Sequence, residues 1–217
     1  MSDPASPRSP ADAGAVIGGR PDVRRVTAQD IPALATMLAR AFWDDPVASW
    51  AWRPDHLRPK ALERFQATRL RQLLGGEELW TTDELTSAAL WAPPGAGHST
   101  LRETAMMVPC FLHPRLALRG PLVGYGWDRL ERAHPHDPQH YYLAILGTEP
   151  DAQGQGLGSA VLRPVLEQCD QDQVGAYLES SKERNVAFYA RHGFRVLSEF
   201  RFPRGPIMWR MWRDPRN

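Results

Sequence analysis

The segment Leu146-Gly147-Thr148-Glu149-Pro150-Asp151-Ala152-Gln153-Gly154-Gln155-Gly156-Leu157-Gly158-Ser159 carries the densest chemical signal in the chain. A strand-like run ends near Thr148, Pro150 turns the chain, and alternating glycines open a helix with the apolar stripe Leu157, Val161 and Val165. Glycines let a backbone come close to a ligand, and a helix start presents unpaired N–H groups. Together these suit a pyrophosphate. A nucleoside triphosphate loop would need Gly-Lys-Ser/Thr after a four-residue gap, and this segment has no lysine. A Rossmann turn needs Gly-x-Gly-x-x-Gly, which Gly154, Gly156 and Gly158 do not form. A strand-to-helix turn that binds nothing is the plain alternative.

Other candidates are scattered. Asn185 and Tyr189 are four residues apart, which puts both on one face of a short helix. Tyr189 is either a proton donor or a core aromatic beside Phe188, and Asn185 could cap that helix. Glu179 lies near a strand end, where a carboxylate could take a proton or simply face solvent. Asp44 and Asp45 stand among Trp43, Trp50 and Trp52. Carboxylates with ring faces suit a cationic amine; equally, Asp45-Pro46 could end a helix and the tryptophans could be core. His134, His136, His140 and Asp137 resemble a metal set by count, but two intervening prolines make the segment extended, and no metal is expected. Cys110 and Cys169 show neither a disulfide framework nor zinc spacing, and neither is expected to carry an acyl group.

Gln153-Gly154-Gln155-Gly156-Leu157-Gly158 resembles motif A, Gln/Arg-x-x-Gly-x-Gly/Ala, of the GCN5-related N-acetyltransferases. Asn185-Val186-Ala187-Phe188-Tyr189-Ala190-Arg191-His192-Gly193-Phe194 is similar to that family's motif B, in which an Asn is followed by Phe-Tyr and then by Gly-Phe. The resemblance implies that acetyl-coenzyme A is the cosubstrate. It implies that backbone amides of Gln153 to Ser159 hold its pyrophosphate and that the free edge of Leu146, Gly147 and Thr148 pairs with the pantetheine arm, Gly147 leaving room for it. It further implies that Asn185 contacts that arm and that Tyr189 protonates the departing sulfur. Residues 41–46, 177–181 and 207–211 resemble the antibiotic-modifying branch of the family, which includes puromycin N-acetyltransferase. That likeness runs from 23 to 213 but is weak between 54 and 133, the region that builds acceptor pockets.

The elements that must hold these residues can be read from periodicity and punctuation. Of 217 residues, 42% are apolar and 24% charged, enough for a sizeable core. The 26 basic and 25 acidic residues leave a net charge of +1, so no basic surface for nucleic acid is expected. No apolar run is long enough to span a membrane and no signal segment is visible, which predicts a cytoplasmic protein. Residues 1–21 read as a disordered tail and 22–217 as one domain. Helices are expected at 27–45, 59–74, 156–169 and 186–192. Strands are expected at 23–27, 78–82, 86–92, 141–148, 175–180, 194–200 and 207–212. Residues 99–133 read as helical but broken at Pro109, Pro114 and Gly120-Pro121.

The expected architecture is α/β: a mixed, mostly antiparallel twisted sheet of six or seven strands flanked by helices, with splayed central strands forming the coenzyme A slot. The expected reaction is acetyl transfer to a primary amine of a small molecule, for resistance or self-protection, by direct attack in a ternary complex. Glu179 is the candidate base, and Trp43, Asp44, Asp45 and Glu179 line the acceptor site. An acetyltransferase of proteins or peptides and a non-catalytic acyl-coenzyme A sensor are the alternatives. A homodimer is compatible with either.

Overall fold

The computed structural model describes residues 21–53, 55–75, 78–95, 108–111 and 113–217. The tail expected at 1–21 lies, apart from Pro21, outside the described residues. The strands are β1 (Val23–Arg25), β2 (Glu78–Thr82), β3 (Ser87–Ala92), β4 (His140–Thr148), β5 (Gly175–Ser180), β6 (Arg195–Arg201) and β7 (Ile207–Arg213). They form one sheet in the order β1-β2-β3-β4-β5-β7-β6. Every neighbouring pair is antiparallel except β4 and β5, which run parallel.

The helices are α1 (Ile31–Ala41), α2 (Pro46–Ala51), α3 (Arg58–Leu73), α4 (Pro114–Ala117), α5 (Gly120–Ala133), α6 (Leu157–Asp172) and α7 (Val186–Arg191). On α1, Ile31, Leu34 and Leu38 are buried, as their helical spacing requires. They pack with Leu70 and Leu73 of α3 on one sheet face, against Leu79, Leu90 and Ile145. On the other face, Val161, Leu162, Val165 and Leu166 of α6 cover Trp91, Leu143, Ala176 and Leu178. A third cluster joins α2, α3 and α5 to Phe200 and Phe202.

Two readings of proline are corrected by the structure. The first helix does not run on to Asp45-Pro46: α1 ends at Ala41, and Asp45-Pro46 begins α2, with Asp45 as its N-cap. Gly120-Pro121 likewise begins α5 rather than breaking it. Proline in a first helical turn removes an N–H that has no intrahelical acceptor there, so it starts helices as readily as it stops them. Pro164, by contrast, lies within α6, which continues through it.

The active cleft begins at a defect in the sheet. β3 and β4 shift register between Leu90 and Trp91, whose partners are Ile145 and Leu143, leaving Ala144 as the extra residue. The bulge flips the alternation of β4: Leu143 packs under α6, whereas Ile145 packs under α1. The last pair between β4 and β5 is Leu143 with Leu178. Beyond it β4 continues to Thr148 along β3, so its edge toward β5 is unpaired and the two strands part.

Candidate active site

A cavity of about 1650 Å³ fills the opening between β4 and β5 and extends beneath α3 and α5. At one end lies the glycine turn. Gly154 and Gly156 have φ of 81° and 80°, and a Cβ at either would meet nothing within 4 Å. The left-handed backbone thus forms a concave surface with free space in front of it. The N–H of Ala160 donates to Gly156 O at 3.0 Å. Ahead of it, the first-turn N–H groups of α6 have no intrahelical acceptor. Gln153 Nε2 donates to Thr148 O at 3.3 Å, tying the turn to β4, and Ser159 Oγ is 2.9 Å from His192 Nε2. Lys182 and Arg184 line the same cavity, each paired with Asp44. An open cradle of main-chain donors fits a diphosphate.

Leu146, Gly147, Thr148, Gln153, Gly154, Gly156, Leu157, Gly158, Ser159, Asn185 and Tyr189 all line the cavity. Gln155 does not: its side chain faces solvent. Gly147 serves a different purpose from the one expected. Its Cβ would strike Leu38 Cδ2 at 2.5 Å and crowd Ala41 and Phe42, so the absent side chain makes room for α1. Asn185 stands at the N-cap position of α7, as the sequence allowed, but its side chain makes no capping hydrogen bond.

Tyr189 sits midway along the cleft, 7% exposed. Its hydroxyl has no hydrogen-bond partner among the described residues. Burial, and then the nearby Asp45 carboxylate, hold the phenol above its ordinary value, so it keeps its proton at neutral pH. Asp45 itself is buried and occupied. One carboxylate oxygen accepts from the N–H groups of Val47 and Ala48 at 2.9 and 3.0 Å, and the other accepts from the Ser181 hydroxyl. Burial pushes its carboxyl above the usual value against those hydrogen bonds.

The acceptor end differs from the sequence expectation. Asp44 lies outside the cavity, paired with Lys182 Nζ at 2.5 Å and with Arg184 at 3.3 Å. Trp43 is 42% exposed under the Arg58 guanidinium, 5.0 Å from its ring. Trp50 is core, stacked near Trp127 and Phe202. Asp45 and Trp52 do line the cavity, and the rest of its aromatic and acidic lining comes from Phe65, Phe111, Trp127, Glu131 and Tyr142, joined by Gln66 and Arg69. Periodicity places Phe65 on the inner face of α3, but nothing local marks α5 as a wall.

Glu179 does lie here, and it is no solvent-facing strand end. Its side chain is 3% exposed, with His134 Nδ1 3.5 Å from Oε1. Burial, followed by the Glu179 charge, raises the phenols of Tyr142 and Tyr177. His134 and His140 bond to each other, Nε2 to Nε2 at 3.1 Å. No group of three or more His, Cys, Asp or Glu among the described residues is arranged to hold a metal. Cys110 and Cys169 are buried, and burial pushes their thiols up to about 11 and about 12.

Comparison with known proteins shows the family and the fold. The model of the acetyltransferase (GNAT) family matches residues 77–194, more than half of the chain. An uncharacterised N-acetyltransferase of Schizosaccharomyces pombe is 26% identical over 79% of this chain and 73% of its own. A mycothiol acetyltransferase of Propionibacterium freudenreichii is 32% identical over 36% of this chain and 26% of its own. Among solved structures, histone acetyltransferase HPA2 and related acetyltransferase from Corynebacterium glutamicum superposes with a TM-score of 0.67. It is 23% identical and covers 92% of this chain and 98% of its own.

Proposed function

The chain belongs to the acetyltransferase (GNAT) family, whose acetyl donor is acetyl-coenzyme A, and from that premise we propose that its acceptor is a primary amine on a small molecule with an apolar or aromatic body. One observation carries the reading: the cavity beyond Tyr189 is walled by Trp52, Phe65, Phe111 and Trp127 and ends at the buried Glu179 carboxylate. Ring faces and a desolvated carboxylate attract and orient an ammonium group attached to an apolar skeleton.

Acetyl-coenzyme A supplies an acetyl group already activated as a thioester. The first turn of α6, with Lys182 and Arg184, holds the diphosphate. The unpaired edge of β4 offers N–H and C=O groups to an extended arm, as a sheet edge does to an added strand. Asn185 contacts that arm. Tyr189 Oη holds a proton for the departing sulfur, in a site whose burial disfavours a thiolate as well as a phenolate. Glu179 takes the proton that the ammonium must lose. Because both thiols of the chain are buried and protonated, direct attack in a ternary complex is the consistent route.

An aminonucleoside antibiotic falls within this class of acceptor, and self-protection by acetylating one is the narrowest form of the proposal. Its support is the sequence likeness at 41–46, 177–181 and 207–211. Those segments meet around β5, through Ser181 with Asp45 and through the pairing of β5 with β7, and all three reach the cavity, with Phe42, Asp45, Glu179, Ser181 and Met208 among its lining residues. Incubation with acetyl-coenzyme A and a panel of aliphatic amines, aromatic amines, an aminonucleoside and a histone-tail peptide, following free thiol, tests the proposal. Aromatic amines should exceed the peptide in kcat/KM by roughly tenfold or more. A preference for the peptide would overturn it.

A further inference from the structure

Behind Glu179 a chain of hydrogen bonds restricts where a proton can sit. His140 Nδ1 is 2.9 Å from the Pro138 carbonyl oxygen, and His140 Nε2 is 3.1 Å from His134 Nε2. A carbonyl only accepts, so His140 carries its proton on Nδ1. Burial holds His140 below the ordinary imidazole value, which keeps the ring neutral and makes its Nε2 an acceptor. His134 must therefore donate from Nε2. Its Nδ1 is then left facing Glu179 Oε1 at 3.5 Å, with the rings of Tyr142 and Tyr177 edge-on to it at 4.7 and 4.8 Å.

We propose that Glu179 and His134 accept the amine's proton as one unit, with His140 and the Pro138 carbonyl as positioning groups that hold His134 in the tautomer this requires. The inference rests on the amine-acetylating reading above, and both Glu179 and His134 line the cavity. In the step, an N–H bond of the ammonium breaks, its electron pair stays on nitrogen, and the proton joins a lone pair of Glu179 Oε1 or His134 Nδ1. Without that proton, a carboxylate and a nitrogen lone pair face each other; with it, they attract. Once bound, the proton bridges the two groups, while the Tyr142 and Tyr177 hydroxyls also hydrogen-bond the Glu179 carboxylate.

The titratable and charged groups around it are Tyr142 on β4, Tyr177 on β5, Arg210 on β7, Arg69 on α3, and Glu131 and His136 flanking His134. Arg210 is committed elsewhere: its Nε donates to Tyr177 Oη at 3.0 Å and its guanidinium also donates to Ala133 O.

Nitrogen-15 spectra of the histidine-labelled, unliganded protein at neutral pH test the positioning without any turnover. His140 should appear as the Nδ1–H tautomer and His134 should carry a proton on Nε2. The opposite tautomer of His140, or a His134 protonated on Nδ1 alone, would overturn the arrangement. The kinetic arm compares Glu179→Gln, His134→Gln and the double variant on the amine that wild type turns over best. Each single variant should lower kcat by about 10²-fold and shift the low-pH limb, with acetyl-coenzyme A affinity unchanged by calorimetry. The double variant should fall within about threefold of the weaker single. Losses that multiply, or a His134→Gln limb that overlays wild type, would show two separate groups and end the proposal. A wild type that turns over no amine would instead sink the acceptor assignment, and this role with it, even with both tautomers as expected.

Discussion

The two ends of the cleft are built by different means. At the end proposed for the cofactor, one continuous segment from Leu146 to Ser159 offers main-chain groups, and at Gly154 and Gly156 the absent side chains leave open space. At the acceptor end, the contacting groups are side chains brought by α2, α3, α5, β4 and β5, and no two neighbouring elements suffice. A backbone site requires only a local conformation, so short-range sequence can encode it. A side-chain pocket requires that distant elements dock in a given register. Substrate identity therefore resides in the part of the molecule that depends most on tertiary packing.

The largest effect should come where the two ends meet. Tyr189→Phe keeps the ring but removes the proton donor, so kcat should fall by roughly 10²–10⁴-fold while acetyl-coenzyme A affinity by calorimetry stays within about twofold. Turnover close to wild type would move the proton to water and weaken the idea of a shared midpoint.

The next effect separates backbone from side chain within the cofactor end. Gly156→Ala puts a Cβ on a left-handed residue, costing about 1–2 kcal/mol of stability in a urea titration, and projects it into the open cradle. Acetyl-coenzyme A affinity should drop by roughly tenfold or more. At Gly158 a Cβ meets Phe188 at 3.5 Å and Thr148 at 3.6 Å, ordinary contacts, so Gly158→Ala should bind within about threefold of wild type. Equal losses in the two variants would break the main-chain account.

The smallest effects should fall on the acceptor end. Phe65→Leu removes a ring face from the cavity wall and should raise the amine KM by roughly fivefold, with cofactor affinity unmoved. Asp44→Asn, outside the cavity, should leave that KM within about twofold and cost well under about 1 kcal/mol, as expected of an ion pair at the surface. A larger KM change for Asp44→Asn than for Phe65→Leu would reverse the placement of the acceptor.

By itself the sequence determined the order and kind of nearly all the strands, the glycine turn, and the helix that carries Asn185 and Tyr189. These depend on interactions within a few residues: alternation, helical spacing, glycine conformation and helix starts. Packing decided the rest. Asp44 and Asp45 are adjacent in sequence, yet one pairs with Lys182 at the surface and the other is sealed as a helix cap, because the chain turns between them. Gly147 looked like room for a ligand and proved to be room for Leu38. Glu179 became a buried partner of His134 only when α5 docked beside β5. The residues of α5 were the hardest to foresee, since Gly120 and Pro121 read as a break and act as a start. What a residue's neighbours are across the sheet is a long-range property, and no local pattern carries it.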